Sequence, residues 1–100
     1  MNTSYPTQIL PSFTLIGQGG PFAGHQFTGS DTQVLIGREQ DCQIILDNPA
    51  VSKHHARISH IKGQWMIEDL RSSNGTTING QRIYRAGAIR SSDVIGLGSL

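Results

Sequence analysis

Apolar residues in this chain fall in short bursts, each closed by residues that favour turns. The sharpest pattern is HARISHI at 55–61, with Ala56 and Ile58 on one face and Arg57 and Ser59 on the other. After Lys62-Gly63, the run QWMIEDL at 64–70 alternates too, with Trp65 and Ile67 inward and Gln64 and Glu68 outward. Successive side chains of a strand point to opposite faces, so a period of two marks half-buried strands. That phase makes Trp65 a core residue rather than a ligand contact. Weaker runs are FTLIG (13–17), HQFTG (25–29), TQVLIGR (32–38) and QIIL (43–46), followed after residue 75 by TTIN, QRIY, AIR and DVIGLG. Between them lie QGGPFAG, DNP and two Asn-Gly pairs, where glycine supplies positive φ and proline fixes φ. No window shows a 3.6-residue period, although 47–54 and 86–91 leave room for a short helical turn. Some ten to eleven short strands with a turn roughly every 8–12 residues predict an all-β sandwich or barrel.

Length and composition narrow the picture. One hundred residues make one domain. Residues 1–11, polar with two prolines, predict a flexible tail, which leaves 12–100 as the domain. The net charge is +1, from eight Lys+Arg against seven Asp+Glu. Bulk nucleic acid or an anionic membrane calls for a clear basic excess, so neither is an expected partner. Any anion must be held by a few placed cations. Cys42 is the single cysteine, and MNTSYPTQIL has neither a basic start nor an apolar stretch. A reducing, cytoplasmic setting is expected. No apolar run approaches the ~18 residues of a membrane span.

Enzymatic chemistry finds little support. His25, His54, His55 and His60, with Cys42 distant, match none of the usual zinc spacings, so no metal or cofactor is expected. Ser52 lies three residues before His55, but no nucleophile elbow or oxyanion loop accompanies it. His55 is better placed to lock neighbouring loops through their backbone, and Asp69 to orient a turn at a strand end. Anion binding fares better. Arg38 follows Gly37 at one strand end, Ser52 and Lys53 precede the strongest strand, and Ser73 and Asn74 follow the next. Loops at one end of a sandwich cluster. Together these residues offer a guanidinium fork, an ammonium, two hydroxyls and an amide, a set suited to a tetrahedral dianion.

The ordered pieces IGR, VSKHHARI, EDLRSSNGT, TING and DVIGLG resemble a forkhead-associated (FHA) domain over about residues 34–98. The resemblance implies a β-sandwich of about eleven strands, of two twisted, mostly antiparallel sheets, whose loops at one end bind phosphothreonine peptides. It implies that Arg38 and Ser52 hold the phosphate, with Lys53 adding a contact and Ser73 in reach. Asn74 would bond the peptide backbone, with Asn79 a second asparagine near it. His55 would brace the loops, together with Gly37 and the turn glycine Gly75. The implied partner is a threonine-phosphorylated protein or peptide made by a Ser/Thr kinase. Positions around Ala50 and Arg71 are candidates to read the side chains that follow the phosphothreonine. Lys53 stands where arginine is frequent, which keeps charge but loses a fork. The last strand of the family would run beyond Leu100.

Two rivals remain at this stage: a phospho-independent interaction module on the same sandwich, and a small nucleic-acid-binding barrel, which the low charge disfavours. Thr7, in the expected tail, is a candidate phosphosite for the chain's own or a neighbouring pocket. The three residues between Asn74-Gly75 and Asn79-Gly80 are expected to space two loops rather than to pack.

Overall fold

The computed structural model describes residues 11–100, so Thr7 and nearly all of the expected tail lie outside the described residues. Ten strands follow in order: β1 (Ser12–Ile16), β2 (Gln26–Ser30), β3 (Gln33–Gly37), β4 (Ile44–Ile45), β5 (Ala56–Ile61), β6 (Gln64–Asp69), β7 (Thr76–Ile78), β8 (Gln81–Ile83), β9 (Ala86–Ile89) and β10 (Ile95–Leu97). They form a five-stranded sheet in the order β4-β3-β5-β6-β9, a three-stranded sheet β10-β7-β8, and the hairpin β1-β2. All pairings are antiparallel except β3 with β4.

The alternation is realised in β5 and β6, which pair from Ala56↔Asp69 to Ile61↔Gln64. Ala56, Ile58 and Ile67 are fully buried, alongside Val34, Ile36, Ile44 and Val51. Phe13 and Leu15 from β1, Ile78 from β7 and Leu97 from β10 close over them. The core therefore lies between the five-stranded sheet and the remaining strands. Each of these valine, leucine and isoleucine side chains contributes about 1.5–3 kcal/mol on burial. Trp65 is half-buried and meets Phe13 edge-on, with ring centroids 5.2 Å apart, so it seals the core as its phase predicts.

Ser59 keeps the face opposite Ile58 and is nevertheless buried there, because β5 is the central strand and its register neighbours Gln33 and Met66 carry longer side chains. Two expectations need correction. The helical turn is at Gly20–Phe22, where Pro21 presets φ, and not at 47–54 or 86–91. Ala86–Ile89 is instead held as a strand along β6. Finally, the residues between the Asn-Gly pairs do pack: Thr76–Ile78 is β7, the centre of its sheet, and Thr76 is fully buried.

Two tight turns follow from sequence directly. Lys62-Gly63 and Asn79-Gly80 each place two consecutive residues at positive φ, between the pairs Ile61↔Gln64 and Ile78↔Gln81. That conformation suits the right-handed twist of a two-residue hairpin. The other Asn-Gly is different, since of that pair only Gly75 has positive φ, at 88°. It belongs to the longer β6–β7 loop. This loop meets the β3–β4 and β4–β5 loops at one end: Arg38 N–H donates to Ser52 O (3.1 Å), Glu39 N–H to Lys53 O (3.2 Å) and Leu70 N–H to His55 O (2.9 Å).

Candidate functional site

The site is assembled from these three loops. Gly37 ends β3, and a Cβ there would strike the Lys53 carbonyl and crowd Cys42 Sγ. Glycine thus lets the β4–β5 loop lie directly on the end of β3, which sets Arg38 beside Ser52. Arg38 Nε donates to Val51 O at 2.6 Å. The guanidinium carries five donors in a fixed fork, so its two terminal nitrogens are aimed by that anchor and remain for an anion.

His55 joins the loops from beneath and is completely buried. Its Nδ1 accepts Ser52 N–H (3.0 Å), and Nε2 lies 2.8 Å from Gly75 O. An amide can only donate and a carbonyl only accept, so the ring carries its proton on Nε2. Gly75 O also accepts Gly98 N–H at 2.8 Å. One carbonyl thereby ties the β6–β7 loop to His55 and to the end of β10.

Asp69 organises the same loop from the end of β6. Its carboxylate accepts Ser72 Oγ (2.5 Å), Ser72 N–H (3.2 Å) and Thr76 Oγ1 (2.7 Å), and Ser72 Oγ in turn accepts Gly75 N–H (2.9 Å). Burial pushes the Asp69 carboxyl upward, but the Ser72 and Thr76 hydrogen bonds outweigh it and leave the group below the usual carboxylate value.

At the surface, these supports line an open cleft of about 480 Å³ with Arg38, Ser52, Lys53, Ser73 and Asn74. Ser52 Oγ accepts Ser73 N–H at 2.9 Å, which leaves its own proton for a ligand. Asn74 Nδ2 donates to Ala50 O at 3.0 Å, so the amide plane is fixed with its carbonyl oxygen left as an acceptor. Lys53 is exposed and sits 3.9 Å from Glu39. Ala50 and Arg71 also line the cleft, Arg71 with a φ of 55°. A separate apolar cavity of about 350 Å³ lies against β1 and β10 and shares no lining residue with the cleft.

Five of the six candidate contact residues therefore come together. Asn79 does not: its Nδ2 donates to Asp93 Oδ1 (3.0 Å) and its Oδ1 accepts Val94 N–H (2.8 Å), away from the cleft lining. Its amide is spent on holding the chain before β10. Val51 and Gly98 also build the site, but through backbone groups alone, so they carry no side-chain signal in the sequence.

A family model described as the FHA domain matches residues 34–98. This chain belongs to the FHA domain family. Among FHA proteins, it is 36% identical to "FHA domain-containing protein FhaB" of Mycobacterium tuberculosis over 72 residues, which are 72% of this chain and 46% of FhaB. The chain thus spans about half the length of that relative. The fold is similar to Mycobacterium tuberculosis EmbR, solved in complex with a low-affinity phosphopeptide. There the TM-score is 0.78 and the identity 30%, over 92% of this chain and 23% of that one. It is also similar to a structure from a study of phosphothreonine-dependent FHA domain interactions, with a TM-score of 0.70 and 32% identity over 78% of this chain and 80% of that one. Among the described residues, no helix is long and apolar enough to cross a membrane.

Proposed function

We propose that this FHA domain binds phosphothreonine peptides and mediates phosphorylation-dependent protein–protein interaction as a regulatory part of a larger protein. The observation that carries this reading is the convergence of Arg38, Ser52, Lys53, Ser73 and Asn74 on one cleft, with Arg38, Ser52 and Asn74 anchored by bonds that leave their remaining donors and acceptors outward. A phosphate dianion takes the guanidinium fork, the Ser52 and Ser73 hydroxyls and the Lys53 ammonium. Asn74 takes the peptide backbone beside it. The FHA structures solved with a phosphopeptide or studied for phosphothreonine dependence support the same ligand class.

In this reading residues 12–100 are the binding unit and 1–11 a tail. The unit is cytoplasmic and performs no catalysis; its partner is the product of a Ser/Thr kinase. Charge-assisted hydrogen bonds are worth about 1.5–3 kcal/mol each. The fork, the two hydroxyls and the ammonium acting together, less the cost of ordering a flexible peptide, are expected to give micromolar affinity, about −8 kcal/mol. Calorimetry with one peptide in phosphorylated and unphosphorylated form tests the reading. Binding confined to the phosphorylated form is expected, and equal binding of both would establish the phospho-independent module instead.

A further inference from the structure

At the edge of the cleft, whose lining includes His54, lies a group of side chains to which the proposed anion binding gives no role. Asp41 and Cys42 follow β3, and His54 reaches them from the far end of the β4–β5 loop. The approach is fixed by the Lys53 carbonyl, which accepts both the Cys42 thiol (3.4 Å) and the Glu39 N–H (3.2 Å). His54 Nε2 then stands 2.9 and 3.0 Å from the two carboxylate oxygens of Asp41, and Cys42 Sγ stands 4.0 Å from Asp41 Oδ1. One sulfur, one nitrogen and one oxygen thus lie within 4.8 Å of one another. We propose that Asp41, Cys42 and His54 form a binding site for a borderline transition-metal ion of the zinc class.

The geometry fits without refolding. Zinc takes thiolate at about 2.3 Å, imidazole at about 2.0–2.1 Å and carboxylate at about 2.0–2.2 Å. A tetrahedron with those bond lengths separates its ligand atoms by roughly 3.3–3.7 Å. The carboxylate–imidazole pair is slightly inside that range, the sulfur–carboxylate pair slightly outside it, and the sulfur–imidazole pair, bounded by 4.8 Å, closes by up to about 1 Å on binding. The adjustment falls on the two exposed side chains, Asp41 and His54, while the buried Cys42 stays in place. A water completes the fourth position, as in zinc sites with three protein ligands. A mixed S, N, O set favours zinc-like ions over calcium or magnesium, which take oxygen ligands. On binding, the Sγ–H bond breaks, its proton leaves to solvent, and a sulfur–metal bond forms. The Lys53 carbonyl loses the thiol contact and keeps the Glu39 amide.

Cobalt(II), titrated into the full chain with no peptide present, reads the site directly. We expect a near-ultraviolet sulfur-to-cobalt band and four-coordinate visible bands, saturating at one equivalent and displaced by zinc. Cys42→Ser removes the near-ultraviolet band. His54→Ala, at an exposed position, leaves the fold intact and weakens cobalt binding at least ~10-fold. No sulfur–cobalt band, or a band of unchanged affinity in His54→Ala, overturns the proposal. Since no phosphopeptide enters these measurements, their outcome is independent of the peptide-binding reading.

Discussion

Arg38 divides its donors between the protein and the cleft: Nε holds Val51 O, and the terminal nitrogens face outward. Truncation therefore has two unequal costs. Arg38→Ala is expected to weaken phosphothreonine-peptide binding by about 2–3 kcal/mol, or ~30- to 150-fold, in calorimetry. Its stability cost is smaller, about 1 kcal/mol for one exchanged hydrogen bond. Unchanged affinity in a folded variant would remove Arg38 from the phosphate site. His55 has the opposite balance. It is fully buried and fills the space between two loops with both ring nitrogens engaged. His55→Ala leaves a cavity and an unpaired Ser52 N–H, while Gly75 O keeps Gly98 N–H, a loss of about 3 kcal/mol. In a domain of this size that lowers the thermal midpoint on the order of 10 °C or more, and a midpoint equal to wild type would contradict the bracing role.

At the scale of the elements, the β6–β7 loop depends on one carboxylate. Asp69 has a lowered folded-state pKa, so its contribution is complete above the ordinary carboxylate value of about 4 and is lost as pH falls through the lower folded value. Asp93 is lowered in the same direction by Asn79 and Arg90, at an exposed position. Thermal melts from pH 7 down to 2 should show the wild-type midpoint falling below about pH 4. Asp69→Asn should flatten that fall without abolishing it, since Asp93 remains. An identical pH profile in the variant would refute the role of Asp69. Most elements were legible in the sequence, because β5 and β6 alternate cleanly and the hairpin turns carry Lys-Gly and Asn-Gly at positions that need positive φ. The convergence of Arg38, Ser52 and Asn74 on one cleft was legible because their side chains carry the signal. The place of Asn79 outside the cleft lining was not, because a hairpin asparagine and a cleft asparagine look alike until Asp93 and Val94 are seen to consume its amide. The cluster of Asp41, Cys42 and His54 escaped spacing rules because the close approach at Gly37 unites it, not a sequence motif.

For the whole molecule, a net charge of +1 gives no long-range field to collect anions, so recognition rests on the cleft. Affinity should then follow the ligand's own charge. Phosphothreonine gains its second negative charge near pH 6. Binding measured between pH 5 and 8 should strengthen as pH rises through that value, and a phosphate-independent mode would stay flat. The rim is also built from residues far apart along the chain. His55 meets Gly75 across 20 residues, Ser73 meets Ser52 across 21, and Asn74 meets Ala50 across 24. Closing such intervals costs chain entropy before any contact repays it. The β5–β6 and β7–β8 hairpins, joined by two-residue turns, can form first; the rim waits for both. The peptide-reading surface is thus a late product of folding. In the reading proposed above, a nascent chain holding only its hairpins is expected to lack the binding surface, because Arg38, Ser52 and Asn74 converge only once the loops close over His55.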